Sequence, residues 1–98
     1  MTFNIANYLF EGLTNLNNGF DVPSIIYVSE SDFEIVLNRA EQKNINIWGI
    51  EPFLDGEFFG VEIYEDYGLS ANDPNWYRQA FEKFKKENCH LQYAITFG

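Results

Sequence analysis

The sequence holds one cysteine, one histidine and six basic residues against fifteen acidic ones. A single cysteine, Cys89, excludes an intrachain disulfide, so the fold must rest on packing; a lone thiol also fits a reducing compartment. No apolar run approaches the roughly 20 residues that a membrane-spanning helix needs. The opening stretch, MTFNIANYLFEG, has neither a basic segment nor a small-residue cleavage site, so it does not read as a secretory leader. The expectation is a soluble, cytoplasmic protein. The shortage of lysine and arginine leaves a net charge of −9. That argues against nucleic acid and anionic membrane as partners and permits a basic protein.

Residue types that carry chemistry are poorly placed for it. GEFFG at 56–60 has too few glycines for a nucleotide-binding loop and sits inside a hairpin pattern. Cys89 and His90 are neighbours in a turn, where a nucleophile and its base do not readily face each other, and no third group orients them. No Asp-x-Asp loop with calcium-binding spacing occurs. The expectation is therefore no catalytic residue, no metal and no cofactor. Glu51 and Glu62 form a candidate carboxylate pair across the hairpin. Their bland role is a solvated pair that discourages sheet-to-sheet association.

What the chain does have is apolar and aromatic residues: 46% and 18% of the total, ample for one self-sufficient core in 98 residues. A single domain over 1–98 follows. Its organising stretch is Ile45 to Tyr64, read as two strands joined at Asp55-Gly56, because a type I′ turn needs positive φ at both central positions. A straight two-residue hairpin sets Leu54 opposite Glu57, Pro52 opposite Phe59, Ile50 opposite Val61 and Trp48 opposite Ile63. That face is apolar. The other face mixes Ile45, Ile47, Gly49, Glu51 and Phe53 with Tyr64, Glu62, Gly60 and Phe58. Pro52 cannot donate to a ladder, which predicts that the first hairpin strand is an edge.

Elsewhere, Ile5, Leu9, Leu13 and Leu16 predict a helix over 3–17, within an N-terminal unit 1–19. Its asparagines weaken helical preference. Ser24–Val28 is a short β-branched run that reads as a strand. Ser31 and Glu34 form a capping box for a helix whose stripe is Phe33, Val36, Leu37 and Ala40. Asp73-Pro74 opens a second helix, as N-cap and first helical residue. Leu91, Tyr93, Ile95 and Phe97 alternate with polar or small residues, as in a half-buried closing strand. From 24 to 98 the order is β-α-β-β-α-β. The expected class is α+β, ferredoxin-like (split β-α-β): a four-stranded antiparallel sheet with two helices on one face, plus the N-terminal helix. Whether that helix covers the other face or projects from it stays open.

Charge is segregated along the chain. The bases are Arg39, Lys43, Arg78, Lys83, Lys85 and Lys86, all in the two core helices, whereas 51–66 carries six acids and no base. Trp48, Trp76, Phe81, Tyr93 and Phe97 fall on core-facing positions. Phe53, Phe58, Tyr64 and Tyr67 do not, and aromatics beside acids are the makings of an interface that combines anchors with charge steering. The candidate binding residues are Glu51, Asp55, Glu57, Glu62, Tyr64, Glu65, Asp66 and Tyr67.

The run into Trp48-Gly49-Ile50-Glu51, the aromatic strand, the acidic tyrosine-bearing loop, the helix and the closing Tyr93-Ala94-Ile95-Thr96 together resemble small bacterial immunity proteins. These protect against tRNA-cleaving colicins and contact-dependent growth-inhibition nuclease toxins, and the likeness spans about residues 33 to 97. The resemblance implies a non-enzymatic antitoxin that binds a cognate nuclease domain and holds it inactive. A nuclease cleft is basic because it binds phosphates, so an acidic face suits it. Two other classes stand beside this one: an acidic, nucleic-acid-mimicking inhibitor of another nuclease, and a ferredoxin-like regulatory domain that binds a small molecule.

Overall fold

The computed structural model describes residues 3–98; residues 1 and 2, at the start of the expected domain 1–98, lie outside the described residues. The chain forms α1 (Ile5–Phe10), α2 (Glu30–Gln42), β1 (Ile47–Leu54), β2 (Glu57–Phe58), β3 (Glu62–Ile63), a 3₁₀ turn (Tyr64–Tyr67), α3 (Pro74–Glu87) and β4 (Gln92–Phe97). It is an α+β domain with an open, antiparallel four-stranded sheet and three α-helices. β1 is the central strand. It pairs with β4 on one side and with β2 and β3, one after the other, on the opposite side.

This order differs from expectation at three places. Ser24–Val28 is not a strand: only Val28 pairs, through reciprocal backbone bonds of 2.9 and 2.8 Å with Tyr93. A ferredoxin-like sheet would set the closing strand at an edge; here β4 lies between β1 and Val28. And β1, despite Pro52, is no edge. The backbone N and O of Tyr93, opposite Pro52, are both turned to Val28, so the missing N–H of Pro52 points to the β2–β3 side. There the ladder is already interrupted, and the ring costs no hydrogen bond.

The N-terminal helix is also shorter than predicted. Asn4 caps it by accepting from Asn7 N–H at 2.9 Å, and it stops before Gly12, which has φ of +77°. The asparagines that follow bond to the backbone instead of continuing the helix. Asn15 Oδ1 accepts from Asn17 and Tyr27 N–H, while Asn17 Nδ2 donates to the carbonyls of Val22 and Ile25. α2 begins two residues earlier than the capping box implied: Ser29, not Ser31, is the N-cap and accepts from Asp32 N–H. Asp73 and Pro74 open α3 as predicted.

α2 and α3 bury their apolar stripes on one face of the sheet. Tyr93 is the hub: its ring stacks on Phe33 at 4.6 Å and meets Phe81 and Phe84 edge-on. α1 neither covers the open face nor projects from it. It docks on α2, where Arg39 donates to the carbonyls of Leu9 and Glu11, and Leu9 is buried in the same core. A loop covers part of the open face instead, with Phe20 and Tyr27 packed against Phe53.

Candidate functional site

Of the eight predicted site residues, Glu57 and Glu62 lie on the edge strand β2–β3, Asp55 in the turn before it, Tyr64, Glu65, Asp66 and Tyr67 in the 3₁₀ turn after it, and Glu51 on β1; two irregularities decide where they point. The turn itself is as expected: Asp55 and Gly56 have φ of +51° and +81°, and Leu54 pairs with Glu57. Beyond Phe58, which pairs with Phe53, one extra residue enters the returning strand. Ile50 then lies opposite Glu62 and Gly49 opposite Ile63, one position off the straight hairpin. Phe59 and Gly60 both turn to the helix side, against Phe84. This is a β-bulge, and a bulge reverses the facing of all that follows. A second register shift, between Ile47 and Gly49 against β4, turns Trp48 outward while Ile47 and Ile50 stay buried. Trp48, Val61 and Ile63, expected in the core, are therefore exposed.

The bulge separates the acids. Glu62 opposes buried Ile50 and leans under α3, where its carboxylate accepts from the Tyr67 hydroxyl at 2.7 Å and pairs with Lys83 at 3.4 Å. Tyr67 in turn packs against Trp76 at 5.5 Å. Burial, and then the Glu62 carboxylate, raise the Tyr67 pKa above the ordinary phenol value, so it is a neutral donor. Glu62 and Tyr67 thus join the 3₁₀ turn to β3 and α3 and are not free to anchor a partner. Tyr67→Phe should lower stability by about 1–2 kcal/mol, since Glu62 keeps Lys83 but loses a charge-assisted bond; chemical denaturation checks this.

The remaining site residues stay available. Asp55 and Glu57 are exposed at the turn, Glu65 and Asp66 are exposed at the far end of the edge strand, and Glu51 is half-buried on β1. Tyr64 is partly buried and meets Trp48 edge-on at 5.7 Å. The pair Glu51/Glu62 does not form, because the two carboxylates leave opposite faces: Glu51 follows Ile50, which opposes Glu62. No lysine or arginine lies between Lys43 and Arg78 in the sequence. The edge strand therefore runs from acids, through Phe58, Val61 and Ile63, to acids again. The hydrophobic part of this arrangement was missed by reading the hairpin as straight. The signal available was an isolated glycine within a strand pattern, at Gly60 and again beside Trp48 at Gly49, which often marks a bulge.

Loop 13–27 supplies one titratable contact. The Tyr27 hydroxyl, and then Val22 N–H, donate to Asp21 and hold its carboxyl below the usual range. Such a group binds fewer protons when folded. Its contribution is complete above the ordinary carboxylate pKa and is lost as pH falls through the lowered value. Asp21→Asn should therefore flatten the decline of thermal stability below about pH 4, read from melting curves at stepped pH.

Cys89 and His90 are both exposed and border an open cleft of about 460 Å³ with Ser29, Glu30 and Ser31. Among the described residues, no group of three or more His, Cys, Asp or Glu side chains is arranged to hold a metal ion. No helix among them is long and apolar enough to cross a membrane. What the geometry defines is a small α+β domain with an acidic, partly apolar edge. Comparison with family models, curated proteins and solved structures finds no match to this chain.

Proposed function

We propose that the protein is an inhibitory binding protein: a cytoplasmic immunity protein that neutralises a cognate bacterial nuclease toxin, a ribonuclease by its resemblance, through the acidic edge of its sheet. One observation carries the reading. Asp55 and Glu57 stand exposed at one end of the edge strand, Glu65 and Asp66 at the other, no base lies in the sequence between them, and the one base among the described residues that pairs with the strand, Lys83 of α3, meets Glu62 on the helix side. A surface of one sign speeds association with a partner of the opposite sign and rejects like-charged competitors. A nuclease cleft, built to hold phosphates, is such a partner. In this reading the fold keeps the ferredoxin-like element order along the chain, with Val28 in the sequence place of the first strand, but in the sheet Val28 lies at the edge and the closing strand inside it.

Glu51, Asp55, Glu57, Glu65 and Asp66 supply the charge, and Tyr64 with Trp48 a contact aromatic pair. Glu62 and Tyr67 hold the surface in place from behind. The test is inhibition of RNA cleavage by the toxin domain captured from source-cell lysate with this protein as bait. The expected result is complete inhibition at one equivalent. A partner without nuclease activity, or a nuclease that stays active when saturated, contradicts the proposal.

A further inference from the structure

The two bulges leave an apolar strip on the outer strand that none of the described residues covers. Phe58 is 59% exposed, Val61 51% and Ile63 36%, and Trp48, one strand inward, is 40% exposed against Tyr64. The facing is fixed by the neighbours. Phe58 lies opposite Phe53 on the open face. Gly60 and Glu62 both turn toward α3, so Val61 between them turns away. Ile63 pairs with Gly49, and a Cβ built on Gly49 comes within 3.5 Å of the Ile63 side chain. A contiguous run of large apolar side chains on an outer strand marks an interaction surface.

We infer that this strip is the anchor of a heterologous interface whose occupant is a cationic protein surface with an apolar centre. The inference rests on the inhibitory reading and deepens it: the acids are the rim, and Phe58, Val61 and Ile63 are the desolvated middle. Charge selects the occupant. Asp55, Glu57, Glu65 and Asp66 bracket the strip at both ends, so a second copy of this chain, itself at −9, would bring acids against acids. A partner with lysines or arginines around an aliphatic or aromatic patch matches both features. Interfaces of this kind derive most of their affinity from a few buried anchors, and the charged rim sets the approach.

The test uses isotope-labelled protein titrated, by heteronuclear NMR, with two synthetic peptides of equal length and positive charge. One alternates lysine with valine, the other lysine with serine. The valine peptide should bind at least roughly tenfold more tightly, with shifts centred on Gly49, Phe58, Val61 and Ile63. Phe58→Ser with Val61→Ser should erase that difference while leaving the melting temperature and the serine-peptide affinity unchanged. Equal affinity of the two peptides, shifts centred elsewhere, or a concentration-dependent dimer that the double variant abolishes would each overturn the inference. Because no nuclease enters the titration, it can succeed where the toxin reading fails. If a nuclease is inhibited but the peptides are not told apart, the charge alone carries recognition.

Discussion

Tyr93→Ala should lower the unfolding free energy by about 3–5 kcal/mol, the usual cost of deleting a buried aromatic ring. The ring is fully buried and lies where β4 meets both helices: stacked on Phe33, edge-on to Phe81 and to Phe84. Its removal opens a cavity at the point where α2, α3 and the sheet meet, and none of the three can close it alone. Such a loss is a large fraction of a small domain's whole stability. The hydroxyl behaves differently. Among the described residues it is buried without a hydrogen-bond partner, and burial raises its pKa, so it stays neutral. Tyr93→Phe should therefore be neutral or stabilising by about 1 kcal/mol. Urea denaturation of both variants separates ring from hydroxyl. A Tyr93→Phe loss comparable to that of Tyr93→Ala would mean the hydroxyl has a partner after all.

The second large effect concerns binding. Glu57→Lys combined with Glu65→Lys should slow association with the proposed basic nuclease by roughly 10–100-fold at low salt, with dissociation changed far less. Both side chains are exposed, so the melting temperature should hold. Glu62→Lys is the wrong variant for this purpose. It would set a lysine against Lys83 and remove the acceptor of the Tyr67 hydroxyl, so lost binding could not be told from lost structure. Stopped-flow association of each variant, beside its melting curve, makes the distinction. If the rates are unchanged, the acids at the two ends of the edge strand do not steer the encounter.

The parts of the fold that depend on local chemistry were legible in the chain. Asp55-Gly56 needs positive φ twice and marked the turn; Asp73-Pro74 marked the start of α3; the stripes of α2 and α3 named their buried residues. What failed is what a strand pattern does not encode locally. A straight hairpin through Gly60 buries Val61 and Ile63 and exposes Glu62, and one inserted residue reverses all three. The same holds at Trp48, where tertiary pairing with β4, not hydrophobicity, decides the facing. A proline in a strand pattern signals an edge, yet the missing N–H of Pro52 falls at the bulge, so the proline and the bulge are two views of one interruption. For the site, composition showed the acidic half and hid the apolar half, since exposed Val61 and buried Val36 look alike in a sequence.

In the proposed function, the acidic edge captures a basic nuclease. The most direct test is the association rate of this protein with a nuclease captured from source-cell lysate with this protein as bait, measured across a range of ionic strength. A rate that falls steeply with added salt, with RNA cleavage blocked at one equivalent throughout, is the predicted result. A rate indifferent to salt would contradict the claim, because the acids at the two ends of the edge strand would then have no part in recognition.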